Sequence, residues 1–339
     1  MTGRQLQSQG IRIAAVSGCL LLAFLAACAA SASTPQPARP SLESSETASA
    51  PSAVAPTLEP SPTPDTAITP TSTPTPLPAD FWQSLPVIPA QISQRVGEIY
   101  NRGLEMGNNP HIFSRIGDCA SAAPDFLVGF DGNYNLGDYS SLQPAIDYFQ
   151  GSFKRPSLAA KAGLNSATLL STLWTGDQCL KNETLFDCQF RLDRPSFAII
   201  SIGTNEAYYI HHNPASFEIN MRLILDDTIA QGIVPILATK ADDFEGDNTI
   251  NATIARLAVE YELPLWNFWR AAQPLPNQGM VDPSHLTSVS YVNFTDFSIP
   301  HSLEYGMQVR NLTALQMLYF LWQQLAETPQ VVGTITPTP

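Results

Sequence analysis

Proline decides first what this chain can fold into. The sequence holds 29 prolines, and about half of them fall within the first ninety of its 339 residues. From Ala30 to Pro78 the chain is Pro, Ser, Thr and Ala with few large apolar side chains. It includes Pro60-Ser61-Pro62-Thr63-Pro64 and Pro70-Thr71-Ser72-Thr73-Pro74-Thr75-Pro76. Proline lacks the amide hydrogen and locks φ, so neither a helix nor a sheet ladder can run through such a stretch. Too little apolar surface is present to offset the chain entropy of folding. The expectation is an extended, semi-rigid tether over 29–80, and a disordered tail of similar composition over 328–339. A core is then left to residues 81–327, about 250 residues, enough for one α/β domain around a large buried sheet.

Upstream of the tether, Arg4 and Arg12 introduce an apolar run from Ile13 to Ala27, broken only by Ser17, Gly18 and Cys19. That is the length of a signal peptide and short for a membrane span. The run closes on Leu25-Ala26-Ala27-Cys28-Ala29, which resembles the lipobox of bacterial lipoproteins. The resemblance implies that 1–28 is a leader ending in the lipobox and that Cys28 carries lipid. The domain would then be held at the extracellular face of the cell membrane. Ordinary cleavage near Ala30 would instead release it as a secreted protein. The formal charge of −13 repels phosphate backbones, so nucleic acid is not an expected partner.

After export, Cys119, Cys179 and Cys188 remain, in an oxidising compartment. Three is odd, so at least one is unpaired or pairs with another chain. Cys179 and Cys188 lie close together in a polar stretch that includes Asn182, Glu183 and Asp187. A local bridge between them is the expected pairing, with Cys119 left as a thiol.

Periodicity in the folded part alternates between the two regular structures. Ile92, Val96, Ile99 and Tyr100 recur at helical spacing, and His111–Ile116 reads as a strand running into Gly117-Asp118-Cys119. Leu142–Phe149 reads as a short helix. Phe197–Ile202 is a near-continuous apolar run ending at Gly203, which suits a buried parallel strand. Ser216 is a candidate N-cap for a helix with Phe217, Met221, Ile224, Leu225 and Ile229 on one face, stopped by Gly232. Strand Ile233–Leu237, helix Thr249–Tyr261, strand Leu263–Phe268 and helix Asn311–Leu325 follow. Such alternation predicts an α/β fold, a three-layer α/β/α sandwich with a central parallel sheet. Chemistry is then expected at the carboxyl ends of the strands, after Ile116, after Ile202 and after Phe268.

Three segments fall at or near those places: Ile116-Gly117-Asp118-Cys119, Ile202-Gly203-Thr204-Asn205-Glu206 and Asp282-Pro283-Ser284-His285-Leu286-Thr287. In the third, an Asp at i and a His at i+3 can meet on a turn. The carboxylate then fixes the imidazole tautomer and leaves the other nitrogen as a general base. The order and spacing of the three segments, over roughly His111 to Leu325, resemble the SGNH/GDSL hydrolase family. The resemblance implies the flavodoxin-like fold of that family and the hydrolysis of carboxylic esters, including O-acetyl groups on envelope glycans. It implies His285 as base, Asp282 as its orienting acid, and an oxyanion hole from the Asn205 amide and the Cys119 and Gly163 N–H groups. Gly163 is read from Ala162-Gly163-Leu164-Asn165-Ser166-Ala167-Thr168, with Gly129, Gly132 and Gly137 as competitors. Glu206 stands where the family usually has Asp.

The larger departure is Cys119, at the position of the family's nucleophilic serine. It admits three readings: a working thiol nucleophile, a retired site in a module that binds an envelope carbohydrate or protein, or half of a disulfide with Cys179 or Cys188. Acyl transfer to a glycan would use the same residues as hydrolysis. His111, His211, His212, His285 and His301 show no ligand-like spacing, so neither a metal nor a cofactor is expected. His211-His212 is a candidate pocket rim. Tyr208, Tyr209, Trp266 and Trp269 are candidate stacking faces for a sugar, or core. A monomer acting on a small-molecule or glycan ester completes the expectation.

Overall fold

The computed structural model describes residues 78–206, 213–289 and 293–325. The leader with Cys28, the tether over 29–77, Tyr208, Tyr209, His211, His212 and the tail from 326 lie outside the described residues.

Four parallel strands form one sheet in the order β1 (Asn109–Gly117), β2 (Pro195–Ser201), β3 (Val234–Ala238) and β4 (Leu265–Trp266). The register sets Gly117 beside Ser201, Ile200 beside Leu237, and Ala238 beside Trp266, so the carboxyl ends are level. On the outer side of β1, Gly117 bridges to Ala160. The strands read as unbroken apolar runs because both faces are covered. Phe113 and Phe149 meet edge to face at 5.7 Å, and Phe197 stacks on Tyr100 at 5.5 Å. The residue after Phe113, Ser114, turns the other way and donates to Asp193.

The helices divide accordingly. On the Phe113 and Phe197 side lie α1 (Gln94–Glu105), α3 (Gln143–Tyr148) and, packed on α3, α9 (Gly306–Leu325). On the Ser114 side lie α4 (Ser166–Leu169), α5 (Leu185–Asp193), α6 (Pro214–Ala230) and α7 (Thr249–Glu260), each packed on its neighbour. Two short helices sit at the carboxyl ends of strands, α2 (Cys119–Ala122) after β1 and α8 (Phe268–Ala272) after β4. The architecture is thus a three-layer α/β/α sandwich. Among the described residues no helix is long and apolar enough to cross a membrane.

Several boundaries differ from the sequence expectation, each for a local reason. Asn213, not Ser216, caps α6: its side chain accepts from the Ser216 N–H, and Pro214 takes the first turn, where a missing amide costs nothing. The strand expected over Leu263–Phe268 is only Leu265–Trp266, because Asn267 accepts from the Arg270 N–H and starts α8. Helix α9 begins at Gly306, five residues before the expected Asn311. Helix α5 was not legible as a helix; Thr184 caps it, and Cys188 lies within it. Cys179 and Cys188 are joined by a disulfide with 5.2 Å between their Cα atoms.

Candidate active site

The turn after β1 is built on a residue that only glycine can supply. Gly117 has φ +155°, and a Cβ there would stand 2.0 Å from the Ser201 carbonyl oxygen. Its N–H donates to Ala159 O and its carbonyl accepts from Lys161 N–H, so the segment before Gly163 lies against the end of β1. Asp118 then caps α2, accepting from the Ala120 N–H at 3.2 Å. It also accepts from the Thr204 N–H, which ties this turn to the one after β2. Burial pushes the Asp118 carboxyl up to about 6, against the opposing charge of Arg310. Cys119 follows as a free, half-buried thiol. Burial, then the charge of Asp118, raises it above its ordinary value, so the sulfur rests protonated at neutral pH.

The turn after β2 meets the Gly163 segment. Gly163 adopts φ +84°. The buried Asn205 donates from Nδ2 to Leu164 O at 2.9 Å. The Glu206 carboxylate accepts from the Ser166 N–H at the start of α4, and burial raises its pKa. Cys119, Gly163 and Asn205 thus belong to three segments hydrogen-bonded to one another at one end of the sheet.

Asp282 and His285 reach the same end on a hairpin. Met280 bridges antiparallel to Leu286, Val281 N–H donates to His285 O, and Thr287 O accepts from Met307 N–H at the start of α9. Asp282 Oδ1 accepts from the N–H groups of Ser284 and His285, each at 2.9 Å. The two carboxylate oxygens stand 3.0 and 2.9 Å from His285 Nδ1. The Ser284 backbone bond first, and the His285 side chain next, hold Asp282 down to about 2. An ionised carboxylate at Nδ1 fixes the proton there and leaves Nε2 with its lone pair. The ring is exposed. Its hydrogen bonds go to Asp282 and Ser284, and none among the described residues goes to Cys119.

A small cleft of about 20 Å³ separates the two walls. Asp118 and Ala120, which flank Cys119, line one side; Ser284 and Leu286, which flank His285, line the other. Lys240, Asp242 and Arg310 line its floor, and sequence reading missed all three. Lys240 Nζ donates to Asp242 Oδ1 at 2.7 Å and to Glu245, while Asp242 Oδ2 accepts from Thr204 Oγ at 2.8 Å. Two signals were there to be used: charges directly after the apolar β3 run, and one arginine inside the apolar stretch that became α9.

The other candidates fall elsewhere. His111 Nδ1 bonds to Tyr148 O, and His301 pairs with Glu304. Trp266 is fully buried, its indole N–H donating to Thr313 Oγ, and Trp269 packs on Trp82 at 4.7 Å. Trp266 is therefore core and offers no stacking face. Among the described residues the one cluster of metal-ligand type is Cys179, Glu183 and Cys188, whose sulfurs are joined to each other.

No family model matches the chain, and no curated protein matches it. Among solved structures it is similar to a GDSL-like lipase from Bacteroides thetaiotaomicron. The identity is 14%, covering 66% of this chain and 96% of that one, with a TM-score of 0.36. The functional reading therefore rests on the residues described above.

Proposed function

We propose that the chain is an ester hydrolase of the SGNH/GDSL type, anchored to the cell envelope through lipid on Cys28, which acts through Cys119, His285 and Asp282. One observation carries the reading. The neighbours of an Asp282-bound imidazole, Ser284 and Leu286, line the same cleft as Asp118 and Ala120, the neighbours of Cys119.

In the proposed reaction His285 Nε2 takes the proton from Cys119 Sγ, and the sulfur bonds to the carbonyl carbon of the ester. The C–O bond to the alcohol breaks, and the leaving oxygen takes the proton from His285. Water, deprotonated by the same nitrogen, then hydrolyses the thioester. The Cys119 and Gly163 N–H groups and the second hydrogen of the Asn205 amide receive the oxyanion. A thiol held protonated by its surroundings makes the base obligatory, which is the part Asp282 and His285 play. The cleft has room for about one water molecule, which fits a small acyl group such as acetyl better than a long chain.

A second reading has its own observations. Cys119 is pushed up rather than down, and the His285 ring is not bonded to the sulfur. Both favour a retired site in a module that binds an envelope carbohydrate or protein. Incubation of the full chain with short-chain aryl esters separates the two. Turnover abolished in Cys119→Ala and in His285→Ala supports the hydrolase; absence of turnover in the unaltered protein sinks it.

A further inference from the structure

Arg310 is 2% exposed, and none of the ion pairs among the described residues includes it. Its Nη2 donates to Ser201 Oγ at 3.0 Å and to Ser121 Oγ at 3.3 Å. The guanidinium lies over the rings of Phe126, Trp266 and Phe268, 4.5 to 5.2 Å from their centroids. Its Nε has no hydrogen-bond partner. A buried cation without a carboxylate partner is costly, and aromatic contacts recover only part of that. The other buried cation of the cleft floor, Lys240, is tied to Asp242 and Glu245.

Its placement gives the unpaired charge a use. Ser121 is in the same short helix as Cys119, and Ser201 is the last residue of β2, so both anchors key the guanidinium to the turns that carry the chemistry. The ionisable groups that feel its charge are Asp118 and Cys119. Other charges near this end of the sheet are Asp118 on the same turn, Glu206 on the β2 turn, Asp242 with Lys240 and Glu245 behind β3, and the Asp282–His285 pair across the cleft. Lys240 is neutralised by its own carboxylates, which leaves Arg310, bonded to Ser121 two residues beyond Cys119, as the cation whose charge reaches the sulfur.

We propose that Arg310 is a positioning residue for Cys119: held by Ser121 and Ser201, its charge favours the sulfur as an anion once a base has taken the proton. The inference rests on Cys119 as the reacting sulfur. The guanidinium opposes part of the charge of Asp118 on the thiol. No oxidant or co-reactant enters, since only a proton moves from Sγ to a base.

The test is the rate of Cys119 alkylation by iodoacetamide across pH, read by mass spectrometry on the full-length protein, with aryl-ester turnover measured in parallel. In Arg310→Met the reactive limb moves to higher pH and the rate at neutral pH falls on the order of tenfold. Arg310→Lys restores most of it. A purely structural Arg310 gives the reverse sign, because loosening the floor exposes a half-buried thiol and speeds alkylation. Should Arg310→Met not fold, Ser121→Ala combined with Ser201→Ala keeps the charge but frees it, and a smaller slowing is expected. Unchanged or faster alkylation in the folded variants overturns the proposal. A shifted profile without ester turnover sinks the hydrolase reading alone; turnover without a shift sinks the role of Arg310 alone.

Discussion

The two walls of the cleft are held in different ways. The Gly117–Ala122 wall is locked by the core: Gly117 is pressed between Ala160 and Ser201, Asp118 is buried, and Arg310 closes the floor. The Asp282–His285 wall stands in solvent and is shaped by its own short-range bonds, with one carboxylate taking two backbone N–H groups and an imidazole. The first wall gets precision from packing, so a change that adds volume there is a folding problem. The second gets orientation from an Asp turn, so its residues can be changed for chemistry without disturbing the core. Split this way, Cys119 is half-buried against the core while His285 stands in solvent.

That contrast breaks first, and hardest, at Gly117. Gly117→Ala places a Cβ against Ser201 O and is expected to abolish the folded state, seen as loss of a cooperative thermal transition. Ser284→Ala on the opposite wall should stay within about 0.5 kcal/mol of the unaltered protein by denaturant titration. Comparable effects on both walls would erase the distinction.

The next largest effect is kinetic and belongs to the exposed wall. Asp282→Asn and His285→Ala should each lower ester kcat/KM by roughly 10²–10⁴ while the melting temperature barely moves. An unchanged kcat/KM, or a large fall in melting temperature, counts against it.

Acidity then gives the two walls opposite signs. Asp118 titrates at about 6 when folded against 3.8 for the free side chain, so the folded state holds its proton more tightly. Its contribution is present below pH 3.8 and is lost as pH rises to about 6, an effect of about 3 kcal/mol. Asp282 is held down to about 2, so its contribution is present above the ordinary carboxylate range and is lost as pH falls toward 2. Stability measured against pH should lose its fall between pH 4 and 6 in Asp118→Asn, and lose an acid-side gain in Asp282→Asn. Matching slopes in both variants would contradict the assignment.

The smallest effect lies away from both walls. Replacing Cys179 and Cys188 with serine opens a loop closed by two residues nine positions apart and should cost about 2–3 kcal/mol on chain-entropy grounds. Melting temperature should fall, with Cys119 alkylation unaltered. A change in alkylation would couple that loop to the cleft.

Much of the fold was legible in advance, and for local reasons. Phe197–Ile202 and Ile233–Leu237 read as buried strands because both faces of a parallel sheet demand apolar side chains. The parallel sheet and the end of it that carries the motifs followed from alternation. Helix α5 was missed because its buried polar residues have tertiary partners: Gln189 accepts from the Leu158 N–H, and Asp193 accepts from Ser114 of β1. The Asp282–His285 contact was readable because it spans three residues. The floor was not, because its bonds join residues far apart in the chain, Arg310 to Ser121 across 189 positions and Thr204 to Asp242 across 38.

Composition and period alone therefore settled where a core could form, that it would be a covered parallel sheet, and which residues would stand at the strand ends. Those are properties of a few neighbours along the chain. Packing alone decided that Cys119 would be raised rather than lowered, that the Asn205 amide would be half spent on Leu164, and that an arginine from the last helix would bond to Ser121 and Ser201. Charge, burial and hydrogen-bond partners are set by whatever arrives from elsewhere in space, and no local pattern encodes that.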